Sequence, residues 1–241
     1  MSHVAQIDFV TLVRKHLPQF FHGGRVLEIG SLDINGSVRS LFDTPDYVGV
    51  DVGEGPGVDK VCQGQLVDFP TASLDTAISC ECLEHNPFWV ETVSNMFRMT
   101  KPGALVVISC ATIGRAEHGT TRTSADDSPL SIGIGWDYYK NISIAEFRDT
   151  FALKSWFHDY ILMANWHNSD LYFVGIAKGG DTSVALEPLR QDLAKRFGPS
   201  GSFRAMSVML AGSTLGEAGV SVLRGGWRMM SLIKRSNKQP S

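Results

Sequence analysis

The sequence has no apolar run long enough to cross a membrane and little excess charge of either sign. Nowhere in its 241 residues do about 18 apolar residues follow one another, the least that a membrane helix needs. The formal net charge of −3 gives no reason to expect nucleic acid as a partner. The first residues contain no basic segment followed by an apolar core, so no signal peptide is expected. These absences predict a cytoplasmic protein that does not contact a membrane.

Cysteine is also scarce, which bears on disulfides and on metal binding. The four cysteines, Cys62, Cys80, Cys82 and Cys110, lie on or beside predicted core strands. The Cys80-Glu-Cys82 pair has no second C-x-x-C partner, so the spacing does not favour a zinc site. We expect four free thiols in a reducing compartment.

Strands and helices alternate along most of the chain, the pattern of a mostly parallel sheet. The predicted strands are residues 25–29, 47–51, 59–62, 76–80, 104–109, 154–161 and 170–177. The predicted helices are residues 4–17, a helix beginning near Ser37, 88–100, a helix capped at Ser143, and 188–197. The pattern predicts an α/β fold with a Rossmann-like, doubly wound, seven-stranded sheet, the last strand antiparallel, and a C-terminal helical extension.

Three regions follow from this pattern. An N-terminal helix occupies residues 1–22, a nucleoside-binding domain residues 23–180, and a helical extension residues 181–241, which we expect to serve as a lid or as the contact of a homodimer. The extension ends in a tail that is basic from Arg224 onward, with Arg228, Lys234, Arg235 and Lys238 and no acidic residue. Such a tail can bind phosphate-bearing partners, although a solvated terminus explains the charge as well.

A glycine turn after the first strand indicates what the domain binds. Leu27-Glu-Ile-Gly30 runs into the turn, and Asp51 ends the next strand about 20 residues later, where a carboxylate takes a ribose diol. The dehydrogenase fingerprint needs a second glycine for a pyrophosphate, and here that position is Leu32. Glu28, two residues before the glycine, suits a cationic cofactor better than an anionic one.

Five pieces of sequence carry a family resemblance over residues 24–178. They are Leu27-Glu-Ile-Gly30, Val48-Gly-Val-Asp51, Gln63-Gly-Gln65, the segment from Ser73 to Leu83-Glu-His85, and Lys101-Pro-Gly-Ala-Leu-Val-Val-Ile108. In this order and spacing they resemble the class I S-adenosylmethionine (SAM) methyltransferases, in particular the small-molecule "type 11" methyltransferase-like group. The resemblance implies SAM as the cofactor and methyl transfer as the reaction.

The resemblance also implies how the cofactor is held. Gly30 lets the backbone approach the methionine part of SAM, Glu28 lies near its amino group, and Asp51 accepts hydrogen bonds from both ribose hydroxyls. Gln65 stands where the family usually has an aspartate that contacts the adenine amino group. Leu66 is either an adenine-packing residue or a plain core leucine.

The remaining roles concern the reacting end of the cofactor. The resemblance places the backbone of Cys80 and Glu81 beside the transferred methyl group. A hydroxyl acceptor needs a base, and His118, in the loop after the fifth strand, is the favoured candidate. His85 is the rival, although a histidine that caps the next helix is a plainer reading of it.

Metal dependence and the methyl acceptor are the least determined features of the sequence. Glu81-x-x-Glu84-His85 matches a pattern that holds a metal in small-RNA 2′-O-methyltransferases, but Leu-Glu-His is widespread in metal-free relatives, so we expect no metal. The polar loop of residues 111–140, with Trp136, Tyr138 and Tyr139, favours O-methylation of a small-molecule hydroxyl or carboxyl. The alternatives are a metal-assisted RNA 2′-O-methyltransferase and a catalytically silent SAM-binding partner subunit.

Overall fold

A seven-stranded mixed sheet forms the centre of the computed structural model, which describes residues 4–198, 206–212, 214–216 and 218–223. The strands are β1 Val26–Ile29, β2 Tyr47–Asp51, β3 Lys60–Val61, β4 Leu74–Cys80, β5 Thr100–Ala111, β6 Phe157–Asn165 and β7 Asp170–Ala177. Their order across the sheet is β3-β2-β1-β4-β5-β7-β6. Strands β1 to β5 pair in parallel, and β7 runs antiparallel to both β5 and β6. The predicted doubly wound sheet with an antiparallel last strand is confirmed.

Helices cover both faces of the sheet and divide the apolar core in two. They are α1 Val4–His16, α2 Trp89–Met99, α3 Pro129–Gly133, α4 Ile144–Thr150, α5 Leu153–Trp156 and α6 Glu187–Phe197. One core cluster joins the sheet to α2 and α4, and the other joins it to α1 and α6. Beyond α6 the described residues are helical at 206–212, 214–216 and 218–223, so the helical extension is confirmed there. The basic tail from Arg224 lies outside the described residues.

The prediction of a helix that begins near Ser37 is wrong. Between β1 and β2 the described chain contains only a short 3-10 turn, Arg39–Leu41. Polar side chains in this segment bond to the backbone where a helix would use those groups itself. The Asp33 carboxylate accepts from the Gly36 N–H at 2.9 Å, and the Ser37 hydroxyl accepts from the Arg39 N–H at 3.1 Å. Such local bonds compete with helix formation.

Several element boundaries also differ from the prediction. Lys101-Pro-Gly103 does not separate α2 from the strand, because β5 already begins at Thr100, which pairs with Leu74. Residues 153–156 form the helical turn α5, which delays β6 until Phe157. The cap at Ser143 is confirmed, since its hydroxyl accepts the Glu146 N–H at 3.0 Å.

Candidate cofactor and acceptor site

A cavity lies at the carboxyl edge of the parallel strands, the place where α/β folds bind ligands. Its walls come from the ends of β1, β2 and β4 and from the segment around α3. The lining residues are Gly30, Leu32, Ile34, Asp51, Glu81, Cys82, His85, Asp127, Ser128, Pro129, Leu130 and Ser131. The structure therefore brings Gly30, Asp51, Glu81 and His85 together at one cavity.

The turn at Gly30 accepts only glycine. Its φ is +84°, a conformation that side chains other than glycine rarely adopt. A Cβ at this position would overlap the Cys82 side chain and lie 2.8 Å from its sulfur. The Gly30 and Ser31 N–H groups both donate to the Val50 carbonyl, at 2.9 and 3.2 Å. The turn is thus held against β2 and presents bare backbone to the cavity.

The Asp51 carboxylate is fixed at the end of β2 by two backbone donors. One oxygen accepts from the Leu32 N–H at 3.0 Å and the other from the Val52 N–H at 2.8 Å. Burial raises the pKa of Asp51, and these two hydrogen bonds oppose that increase. Each carboxylate oxygen keeps acceptor capacity beyond its backbone bond. The residue can therefore accept hydrogen bonds from a diol in the cavity.

Glu28 is not among the residues that line the cavity. Its carboxylate is 3% exposed and accepts a hydrogen bond from the Tyr47 hydroxyl at 2.8 Å. Burial raises the pKa of Glu28 to about 7, against the opposing effect of the Tyr47 hydrogen bond. The structure thus pairs Glu28 with Tyr47 at the start of β2, and its predicted place near the cofactor's amino group stays a prediction.

Gln65 and Leu66 follow β3 in the 3-10 turn Gly64–Leu66. The Gln65 amide nitrogen donates to the Gln63 side chain at 2.8 Å, while its buried amide oxygen has no hydrogen-bond partner among the residues described. The Leu66 side chain is 63% exposed, which excludes the interpretation of a core leucine. Neither residue lines the cavity, although both stand at the carboxyl edge of the sheet.

Cys80 and Glu81 lie at the end of β4. Cys80 is 1% exposed, and burial raises the pKa of its thiol. Glu81 has a φ of +50°, a strained backbone for a side chain of its size and of a kind that occurs at functional sites. Burial, followed by the charge of Glu84, raises the pKa of Glu81 to about 8.

Sequence reasoning missed a buried charge network behind the cavity. Arg115 donates to the Asp170 carboxylate at 3.1 Å and to the Asn168 carbonyl at 3.0 Å, and its guanidinium lies 3.8 Å from Glu81. Burial and the nearby Glu81 raise the pKa of Asp170 to about 8. The one signal in the sequence was Asp170 itself, a charge at the start of an otherwise apolar strand.

His85 and His118, which the sequence left as rivals, lie in one cluster with Tyr139. The two imidazole ring centres are 5.0 Å apart, and the Tyr139 ring lies 5.6 Å from His85 and 5.0 Å from His118. His85 lines the cavity. Burial and the neighbouring His118 lower the pKa of His85 to about 3, and burial also lowers the pKa of His118. Glu84 completes the cluster from the same turn as His85.

Part of the polar loop of residues 111–140 covers the cavity. The 3-10 turn Ala125–Asp127 and helix α3 supply lining residues, and the Leu130 side chain packs against Gly53 on the other side. Arg122 forms ion pairs with Glu117 and Asp137, which tie the two ends of this cover together. Trp136 lies with its ring centre 5.6 Å from that of Phe88, at the rim.

The cysteines and the helices bear on the predictions about disulfides and membrane spans. All four cysteines are free, as expected, with Cys80 and Cys110 buried. None of the helices in the described ranges is long and apolar enough to cross a membrane.

Comparisons with known proteins agree with the fold. No protein-family model matches the chain, and no curated protein matches its sequence. Among solved structures, the YcgJ protein of Bacillus subtilis is similar at 12% identity and a TM-score of 0.50, over 73% of this chain and all of that one. The likeness and the strand order show a Rossmann-like fold.

Two further similar structures are those of methyltransferases. Phosphoethanolamine N-methyltransferase 2 of Haemonchus contortus, in complex with SAM, is 16% identical over 93% of this chain and 48% of that one, with a TM-score of 0.49. The 1,6-didemethyltoxoflavin N1-methyltransferase of Burkholderia thailandensis, with S-adenosylhomocysteine bound, is 15% identical over 74% of this chain and 79% of that one, with a TM-score of 0.48.

Proposed function

We propose that the chain is a SAM-dependent methyltransferase that acts on a hydroxyl or carboxyl group of a small molecule. The observation that carries this proposal is the convergence of Gly30, Asp51 and Glu81 on one cavity. Gly30 presents bare backbone to the cavity, Asp51 a fixed carboxylate that can accept hydrogen bonds from a diol, and Glu81 a buried carboxylate. Leu32 lines the cavity at the position where the dehydrogenase fingerprint has its second glycine, which favours a nucleoside without a pyrophosphate.

In this proposal the cofactor lies along the cavity in one orientation. The methionine part lies on Gly30, the ribose on Asp51, and the sulfonium methyl near the backbone of Cys80 and Glu81. The adenine then extends past β2 toward Gln65, whose buried amide oxygen without a partner can accept from an adenine amino group. The exposed Leu66 next to it offers an apolar surface for the ring. We assign Glu28 a supporting part beneath the turn, through Tyr47.

The acceptor then binds on the histidine side of the cavity. His85 lines the cavity, and His118 and Tyr139 stand behind it. Methyl transfer is an in-line displacement at the sulfonium, so the protein must align the acceptor oxygen and remove its proton. The segment around α3 lines this cavity and narrows access for a large acceptor, and the net charge of −3 gives no general reason to expect a nucleic acid.

The helical extension closes the same end of the molecule. Val220 is fully buried, and its side chain lies 2.5 Å from where a Cβ on Gly114 would be, in the loop after β5. We propose that the extension restricts access to the acceptor side as a lid. The alternative, a homodimer contact, predicts twice the chain mass in light scattering.

The free cysteines support a reducing, cytoplasmic location.

Transfer of a labelled methyl group tests the proposed activity. Purified protein is incubated with methyl-labelled SAM in three separate reactions, which contain metabolite extract, RNA or protein as the acceptor pool. The proposal predicts label in small molecules with the wild-type chain and not with Asp51→Ala. Label only in RNA would support the RNA methyltransferase, and cofactor binding without transfer to any pool would support the silent subunit.

A further inference from the structure

We propose that Glu84, His85 and His118 form a binding site for one divalent transition-metal ion at the acceptor side of the cavity. One ligand atom from each of these side chains lies within 4.8 Å of the other two, a separation that a single ion can bridge with small side-chain adjustments. Glu84 and His85 belong to the 3-10 turn Leu83–His85 after β4, and His118 comes from the loop after β5. Two neighbouring strands therefore deliver the three side chains to one point.

The Glu84 carboxylate has no other assignment in the fold. It is fully buried, and neither of its oxygens has a hydrogen-bond partner among the residues described. The N–H groups of Glu84 itself and of Ala111 face the carboxylate without reaching hydrogen-bond geometry. Buried charges are as a rule paired or bound to metals. A cation at this point would give the carboxylate the partner that it otherwise lacks.

Both imidazoles are oriented so that one ring nitrogen is available. His118 donates from Nδ1 to the Ala116 carbonyl at 3.0 Å, which leaves Nε2 with its lone pair. His85 has a buried Nδ1 without a hydrogen-bond partner among the residues described, so this nitrogen is available to a ligand. Metal-bound histidines are typically oriented in this way, by donating their second N–H to a carbonyl.

The space around the cluster leaves little room for a different arrangement. Gly119, next to His118, has a φ of +63°, and a Cβ there would lie 2.5 Å from Cε1 of His85. The loop can approach His85 only because this residue is glycine. Glu81 lines the adjacent cavity and adds a second carboxylate near the ion, while Arg115 is engaged by Asp170.

The ligand set selects the kind of ion. Two imidazoles and one carboxylate suit Zn²⁺, Mn²⁺, Fe²⁺ or Co²⁺, whereas Mg²⁺ prefers oxygen ligands only. Three protein ligands leave at least one coordination position open, as in metal sites that bind a reacting group. Because His85 also lines the cavity, an ion held by this cluster would lie beside the space proposed for the acceptor.

The consequence for the reaction rests on the proposed function. The acceptor oxygen binds the ion, which lowers the pKa of a hydroxyl and fixes its position. The hydroxyl releases its proton to water. Its oxygen then forms the bond to the methyl carbon while the bond from sulfur to that carbon breaks, and the sulfonium becomes a neutral thioether. His118 is then a ligand, in place of the free base of a metal-free reaction that the sequence led us to expect.

Metal binding to the whole chain tests the site without recourse to activity. The purified protein is stripped with EDTA, dialysed, and titrated with Zn²⁺ by calorimetry and with Co²⁺ by visible absorption. The proposal predicts one ion per chain and Co²⁺ bands in the visible range. Glu84→Gln and His118→Gln should each weaken binding more than the roughly 10–100-fold that loss of an orienting partner costs. His158→Gln, which changes an exposed histidine on β6, is the matched control and should bind like wild type.

The same stripped protein separates this proposal from the proposed function. SAM affinity, measured with and without Zn²⁺, reports on the cofactor site alone. Binding of one ion without any binding of SAM would support the metal site and contradict the proposed methyltransferase activity. His118 lies in a half-exposed loop, so His118→Gln should fold, and circular dichroism checks this. No binding by wild type, or equal binding by His118→Gln, would overturn the metal site and favour His118 as a free base.

Discussion

Replacing Glu28 by Gln should stabilise the protein at alkaline pH and leave it unchanged in acid. Glu28 is almost fully buried and accepts one hydrogen bond, from Tyr47. A glutamine oxygen can accept the same bond, so the substitution removes the charge and little else. Burial raises the pKa of Glu28 from its ordinary 4.5 to about 7, which means that the folded protein binds this proton more tightly than the unfolded chain does.

The sign and size of the effect follow from linkage. An acid whose pKa is raised on folding contributes its full stability below about pH 4.5 and loses it as the pH rises through 7. The difference between 4.5 and about 7, at about 1.4 kcal/mol per pKa unit, corresponds to about 3 kcal/mol. Wild type should therefore be less stable than Glu28→Gln by up to about 3 kcal/mol at pH 8.

Urea denaturation at intervals from pH 4 to pH 8.5 measures this difference. Other buried acids, such as Asp170, titrate in both proteins, so their effect cancels when the two curves are subtracted. Tyr47→Phe is the matched control, because it removes the hydrogen bond that lowers the pKa of Glu28. Its loss of stability should begin at the same pH and extend to higher pH. Parallel curves for wild type and Glu28→Gln would refute the reasoning.

Three further substitutions test other parts of the structure. Gly30→Ala places a methyl group against Cys82 at a φ of +84°. It should lower the stability by at least about 1–2 kcal/mol and weaken SAM binding. Wild-type SAM affinity in calorimetry would contradict the role assigned to this turn. Ser143→Ala removes the cap of α4 and should cost about 1 kcal/mol in urea denaturation, with SAM affinity retained, and an unchanged midpoint would speak against the cap. Arg115→Met leaves buried Glu81 and Asp170 without their cation and should lower the stability by about 3–5 kcal/mol at pH 8. The loss of stability should be smaller in acid, where both carboxyls are protonated. A loss of stability independent of pH would show that packing, and not charge, is responsible.

The strands themselves and the cofactor edge could be predicted from the sequence because their signals are local. Buried strands read as short apolar runs; Gly30 directly follows β1, and Asp51 is the last residue of β2. Parallel strands bring their carboxyl ends to one edge, so the convergence of these two residues required no knowledge of distant contacts.

The features that the sequence did not predict depend on contacts between distant or competing groups. Arg115 and Asp170 are 55 residues apart, and no local pattern pairs them. The missing helix near Ser37 reflects side chains that bond to their own backbone, which apolar periodicity does not register. The approach of His118 to His85 depends on the path of the loop after β5 at Gly119, and that path is a tertiary property.

Calorimetric titration of the stripped protein with SAM and with NAD tests the central claim most directly. The site of Gly30 and Asp51 predicts saturable binding of SAM, no binding of NAD, and a loss of about 1–3 kcal/mol in Asp51→Ala through the diol hydrogen bonds. Binding of NAD in place of SAM, or SAM affinity unchanged in Asp51→Ala, would contradict the account of this cavity.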